Sequence, residues 1–259
     1  MDLQLSGAAC IVTGAGGAIG RATAKALAGE GARVLLVGRR QVTLDAASED
    51  CGDRAETLVC DVTAPDAAEQ VTTHCVERFG QIDVFVHCAG STRFKPLPEL
   101  EERDLEEQWE INVLSLFRFL RVVAPHMAER GSGRIVSVAS IAGRRPSASN
   151  LAYGAAKSAQ IAVARGFAET YGDRGVIVNS VLPGPVDTPM WRGVNEQAAA
   201  AAGLSFETVV EGIVAALPRR AVGTPEEIAS TILFLASPLA ANVVGSAWTV
   251  DSGATAQIF

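Results

Sequence analysis

Aromatic residues are scarce in this 259-residue chain, 5% of the total with only two tyrosines. A core must therefore be built mainly from Ala, Val, Ile and Leu, which suits strands buried on both faces of a parallel sheet. Histidine is rarer still: His74, His87 and His126 do not cluster, and none stands at metal-ligand spacing from a cysteine. The five cysteines (Cys10, Cys51, Cys60, Cys75 and Cys88) contain no CxxC pair. An odd, scattered set reads as reduced thiols in a cytoplasmic protein, with no metal site. No basic leader runs into an apolar segment with a cleavage site, and no stretch approaches the ~20 apolar residues that span a bilayer. Positive charge is not in excess either. The formal net charge of −7 argues against a nucleic-acid partner, which usually meets a basic face. It leaves room for a small anion at a local basic pocket.

What is present alternates. Short apolar runs at 8–13, 33–37, 56–60, 82–88, 134–139, 176–182 and 246–250 are mostly bounded by Gly, Asp, Asn or Ser, as buried strands are. Between them, helical patterns are expected near 17–30, 41–50, 65–79, 104–129, 151–171 and 225–236. The last has a clear start: Thr224 can cap it, Pro225 suits its first position and Glu227 completes a capping box. This alternation implies right-handed βαβ units and a seven-stranded, doubly wound parallel sheet with helices on both faces. No linker or repeat divides residues 1–259, so one domain is expected. The interval 186–222 is too long for an ordinary loop. It is expected to be an insertion over the carboxyl ends of the strands, where such sheets bind ligands. Met190, Trp191, Leu204 and Phe206 could line a substrate cavity there or simply pack the insertion down.

The first run leads directly into Thr13-Gly14-Ala15-Gly16-Gly17-Ala18-Ile19-Gly20. Small residues let the backbone turn tightly and approach a pyrophosphate, and the following helix N-terminus offers N–H groups and a favourable dipole. The spacing is GxxxGxG, with Ala18 in place of the middle glycine. At the tip of the second run, Gly38 stands where an acid would bind the adenosine ribose and favour NAD, and Arg39 and Arg40 follow. A guanidinium there can hold a 2′-phosphate bidentately, so NADP(H) is favoured over NAD(H). Against this, Gly17 occupies a position where many NADP-using proteins carry Arg.

A second constellation lies further on. Ser140 follows the Val-rich fifth run, and Tyr153 and Lys157 share one face of the next helix by their i,i+4 spacing. Reduction of a ketone needs a proton at oxygen, and an unperturbed Tyr, with pKa near ~10, is a poor acid–base at neutral pH. A neighbouring ammonium is expected to lower that value.

The ordered set of these motifs resembles the short-chain dehydrogenase/reductase family, in its single-domain branch of roughly 250 residues, over almost the whole length. It comprises the Thr13–Gly20 turn, Asp61-Val62, Ala89-Gly90, Asn112, Ser140, Tyr153-xxx-Lys157, and Pro183-Gly184 followed by Thr188. The resemblance implies a Rossmann-type fold and an NAD(P)(H)-dependent oxidoreductase that interconverts a secondary alcohol and a ketone. It makes Tyr153 the acid for reduction and base for oxidation, Ser140 the partner of the substrate oxygen, and Lys157 the holder of the nicotinamide ribose. Asn112 would anchor a water-linked proton relay behind Lys157.

For the cofactor, the resemblance implies contacts along Gly14, Gly16, Gly17, Ile19 and Gly20, with Asp61 and Val62 at the adenine. Cys88, Ala89 and Gly90 would pass close to the ribose, and the loop holding Pro183, Gly184, Val186 and Thr188 would fix the nicotinamide. The sequence departs from the family at His87-Cys88, where two Asn are usual, and His87 reads as packing. The other reading of Asp61 alone is a turn or helix-cap residue, because Thr63 and Pro65 follow; its register favours the cofactor role. The substrate is a small alcohol or carbonyl compound, with 3-oxoacyl thioesters one class among several. Family relatives assemble as tetramers, so a homotetramer or homodimer through helices 104–129 and 151–171 is expected. A catalytically silent, cofactor-sensing regulator of the same fold is the alternative, although such a protein would be expected to lose Tyr153 or Lys157.

Overall fold

The computed structural model describes residues 1–93 and 95–256. The apolar runs form seven parallel strands: β1 (Ala9–Thr13), β2 (Arg33–Gly38), β3 (Ala55–Val59), β4 (Val84–His87), β5 (Gly133–Val138), β6 (Val176–Pro183) and β7 (Ala247–Val250). They make one sheet in the order β3-β2-β1-β4-β5-β6-β7. The order reverses between β1 and β4, so the crevice at their carboxyl ends is the switch point where a ligand can enter.

Helices cover both faces. On one side lie α1 (Ala18–Gly29), α2 (Gln41–Cys51) and, near the other end of the chain, α9 (Pro225–Ala236). Cys10 and Val12 of β1 face Leu27, Leu44 and Ile232 there. On the other side lie α3 (Ala67–Phe79), α5 (Ser115–Glu129) and α6 (Leu151–Tyr171), and Ile11 packs with Val71, Leu120 and Ala164. The period-two alternation within β1 thus feeds two separate cores, as a doubly covered sheet requires. The expected box at α9 forms: Glu227 N–H donates to Thr224 Oγ1 at 3.3 Å and Thr224 N–H to Glu227 Oε2 at 2.9 Å.

Two regions differ from the sequence expectation. The helix expected at 104–129 is two helices, α4 (Glu102–Trp109) and α5, joined by a π-helical turn at Glu110–Leu114. Asn112 sits in that turn, so the backbone is opened where this candidate site residue lies. The interval 186–222 holds two further helices, α7 (Pro189–Ala202) and α8 (Phe206–Ala216). Thr188 Oγ1 caps α7 by accepting from Trp191 N–H at 3.1 Å, and Ser205 caps α8. Gly203, left-handed at φ +67°, ends α7. Among the described residues no single helix is long and apolar enough to cross a membrane, and α7 and α8 are bent 110° apart.

Candidate active site

Five segments converge at the carboxyl ends of β1, β2, β4, β5 and β6. After β1 the chain turns at Gly14, whose φ of +67° suits a residue without Cβ. The turn also abuts the end of β4, because a Cβ on Gly14 would come within 2.7 Å of Ala89 N. Ala15 N–H donates to Val37 O at 3.1 Å, tying the turn to β2. Gly16 and Gly17 lead into α1, with Ile19 and Gly20 in its first turn. That N-terminus has neither a side-chain cap nor a carboxylate. Its unpaired N–H groups and dipole are therefore available to an anion.

At the tip of β2, Arg39 and Arg40 are exposed directly after Gly38. Asp61 accepts from Thr63 N–H at 3.0 Å and Thr63 Oγ1 at 2.8 Å, an Asx turn. These bonds hold its carboxyl below the usual range, with Arg39 adding to the effect. The turn role open for Asp61 in the sequence is thus realised, alongside a place at the rim of the same crevice. Val62 beside it is buried. Small residues where backbones meet, uncapped N–H groups and two exposed arginines at the β2 tip fit a dinucleotide.

The catalytic candidates meet one strand further on. Ser140 lies just past β5, where its Oγ accepts from Ala142 N–H at 3.1 Å. Tyr153 is in the first turn of α6 and Lys157 one turn later, with its Nζ 5.6 Å from the centre of the Tyr153 ring. Lys157 is buried, and Nζ donates to Val138 O at 3.0 Å and Gln160 Oε1 at 2.7 Å. Burial pulls its ammonium down to about 7. Burial also pushes the Tyr153 phenol up to about 12, partly opposed by the Ser140 hydroxyl. The lowering of Tyr153 expected from Lys157 is not seen in the free protein, where burial dominates the phenol and the group that opposes it is Ser140.

Asn112 approaches from the π turn. Its Nδ2 donates to Ser91 O at 3.2 Å, Gln108 O at 3.0 Å and Gln108 Oε1 at 3.1 Å. Its buried Oδ1 has no partner among the described residues. A Cβ on Gly90 would stand 2.8 Å from that oxygen and 3.3 Å from Lys157 Nζ. The glycine after β4 is what lets the two groups converge.

His87 does more than fill space. It is buried, with Nδ1 3.0 Å from Thr13 Oγ1 and Nε2 3.2 Å from Ser115 Oγ, and Ser115 Oγ donates to Ile111 O at 2.7 Å. Burial and the nearby Lys157 push its imidazole down to about 3, so it is neutral. It links the end of β1 to the turn that carries Asn112. Cys88 is held up near 12 by burial, so its thiol stays protonated at neutral pH.

On the far side, Gly184 N–H donates to Val250 O at 3.0 Å, and Val186 is buried where it bridges to Gly223. Thr188 serves as the α7 cap. A narrow cleft opens beside Tyr153, lined by Arg93, Lys95, Asp104, Glu107, Gln108 and Asn150 among others. Leu100, Leu151 and Ala152 share its walls with these polar groups, and it is not lined by the insertion: Trp191 and Phe206 pack edge-on at 6.4 Å, while Met190 and Leu204 are exposed. Sequence reasoning missed Gln108 and Gln160. Their signal was a long polar side chain four residues before Asn112 and three after Lys157, on faces otherwise due to be buried.

Comparison with known proteins shows the family and the fold. Residues 14–255 match the family model described as enoyl-(acyl carrier protein) reductase. The 3-oxoacyl-[acyl-carrier-protein] reductase FabG of Vibrio cholerae is 34% identical over 251 residues, covering 97% of this chain and 98% of that protein. The short-chain reductase protein NovJ of Streptomyces niveus is 37% identical, covering 94% and 92%. Among solved structures, L-sorbose reductase from Gluconobacter frateurii, complexed with NADPH and L-sorbose, superposes with a TM-score of 0.92 at 29% identity over the full length of both chains. A levodione reductase gives 0.91 at 30% identity, over 96% of this chain and 97% of the other.

Proposed function

The chain belongs to the short-chain dehydrogenase/reductase family, an NAD(P)-dependent oxidoreductase of alcohol and carbonyl groups, and from that premise we propose how its residues divide the reaction. The observation that carries the reading is the convergence of Ser140, Tyr153, Lys157 and Asn112 beside a turn fit for a dinucleotide. Bound NADP(H) would supply or accept the hydride. Tyr153, protonated throughout the neutral range in the free protein, gives a proton to the carbonyl oxygen in reduction and takes it back in oxidation. The Ser140 hydroxyl donates to that oxygen as charge develops. Lys157 places a positive charge behind the phenol and a donor toward the cofactor ribose. Asn112 Oδ1, a buried acceptor still to be satisfied, anchors the proton path that resupplies Tyr153.

Arg39 and Arg40 select NADP(H) over NAD(H), since they offer the 2′-phosphate two guanidinium groups and no carboxylate stands at Gly38. The α1 N-terminus holds the pyrophosphate, and the Pro183–Thr188 loop fixes the nicotinamide. The substrate is a small alcohol or carbonyl compound that enters the cleft beside Tyr153; 3-oxoacyl thioesters and L-sorbose, named for relatives, belong in its first screen. Five unpaired cysteines are consistent with a reducing cytoplasm. Assembly as a homotetramer or homodimer is supported by apolar Leu105, Trp109 and Phe117, which remain exposed on α4 and α5.

The test is a fluorescence titration with NADPH and NADH, followed by a carbonyl screen of the wild type and Tyr153→Phe. NADPH should bind more tightly. Tyr153→Phe should keep that binding and lose at least about a thousandfold in kcat. Undiminished turnover in the variant would remove Tyr153 from the mechanism, and NADPH binding without oxidation across the screen would favour a regulator.

A further inference from the structure

We propose that Gln160 is a positioning residue for Lys157: its amide, locked to β5, favours the charged form of the amine against burial and leaves one ammonium N–H aimed toward Asn112. Gln160 lies three residues after Lys157 on α6 and is fully buried, so both side chains share one face. Its Nε2 donates to Ser137 Oγ at 2.7 Å and to Val138 O at 3.2 Å. Val138 O can only accept and Lys157 Nζ can only donate, so the amide orientation is fixed: nitrogen toward β5, oxygen toward the ammonium.

Two of the three ammonium protons are thereby used, on Gln160 Oε1 and Val138 O. The side of Nζ toward Gly90 and Asn112 Oδ1 is left for the third. The titratable groups facing Lys157 are Tyr153 on its own helix and, from β4, the neutral His87 and the Cys88 thiol. From β5 it meets the Val138 carbonyl, and the π turn contributes the uncharged Asn112. None is a carboxylate. Dipoles, not a carboxylate, are thus what opposes the burial of the ammonium, and Gln160 supplies the shortest hydrogen bond to it. Packing alone would be served as well by Met or Leu, without a buried amide to satisfy.

The inference rests on the roles proposed above for Tyr153 and Lys157, but its main test needs no turnover. The chain has only three lysines, Lys25, Lys95 and Lys157. Lysine labelled with carbon-13 at Cε therefore gives three resolvable NMR titrations, with Lys157 assigned by its loss in Lys157→Met. In the free wild-type protein that signal should titrate near 7. Gln160→Met should lower it by about one pH unit, since a hydrogen bond to a charged group is lost. Gln160→Glu should raise it by at least as much. An unmoved titration in both variants overturns the proposal, and if Gln160→Met does not fold, the direction seen in Gln160→Glu decides alone.

Turnover supplies the second readout. In Gln160→Met, kcat for carbonyl reduction should fall about tenfold at mildly alkaline pH and recover on acidification, with KM little changed. A loss that does not vary with pH would reduce Gln160 to packing. Full activity in Tyr153→Phe would sink the catalytic reading while leaving the lysine titration standing, so the two failures are distinguishable.

Discussion

At the scale of the residue, the site is governed by burial working against charge. Lys157 is drawn down from its ordinary value to about 7 and His87 to about 3, while Tyr153 is pushed up to about 12. Each shift favours the neutral form, as desolvation does. For Lys157 this has a consequence for stability. The unfolded chain binds a proton at this lysine up to its ordinary value near 10.5, the folded chain only up to about 7. Between those values the unfolded state holds more protons, so the penalty of the buried ammonium is greatest below pH 7 and fades as pH rises toward 10.5. Replacing the ammonium with an apolar side chain of similar length removes that penalty. Lys157→Met should therefore melt at a higher temperature than the wild type near pH 6 to 7, while turnover is lost. The gain should shrink steadily in melts taken toward pH 10. A variant less stable at every pH would mean that the bonds to Gln160 and Val138 outweigh the burial.

At the scale of the element, helix and strand ends do most of the positioning, and they differ in how openly the sequence declares them. Thr224, Pro225 and Glu227 carry their meaning in residue type and spacing, and α9 starts where they indicate. That box is exposed and local, so Thr224→Ala should cost about 1 kcal/mol and lower Tm by a few degrees, leaving cofactor binding untouched. A loss near zero would show that Glu227 and Pro225 suffice to start the helix. The seven strands were legible for a similar reason: apolar runs between turn residues have few other destinations. The π turn was not, because 104–129 reads as continuous helix and one extra residue in a turn leaves no mark on its periodicity. The helices α7 and α8 hid behind the length of their interval, although Thr188-Pro189, the alanine run and Gly203 are ordinary start, body and stop signals. The catalytic spacing Tyr153-xxx-Lys157 could be read directly. The tie of Lys157 to Gln160 and the link of His87 to Ser115 could not, since both join residues whose orientation depends on the sheet beneath them.

At the scale of the whole molecule, the two faces of the sheet carry different work. The α1–α2–α9 side holds the Gly14–Gly20 turn proposed for the dinucleotide. The other side ends in α4, α5 and α6, where Leu105, Trp109 and Phe117 remain 38–45% exposed. Phe117 meets Phe167 of α6 edge-on at 6.0 Å, and Phe167 stacks on Tyr171 at 5.8 Å, so the aromatic strip runs from α5 onto α6. A contiguous apolar strip on a chain with few aromatics marks an interaction surface more often than an idle one. The same helices carry Asn112, Tyr153 and Lys157, so an interface there would brace the site from behind. Phe117→Glu places a charge in that strip without touching the site. In light scattering after size exclusion, the variant should run at a lower mass than the wild type, with kcat reduced more than cofactor affinity. A wild type that is already monomeric, or a variant of unchanged mass, would show that these helices do not form the interface.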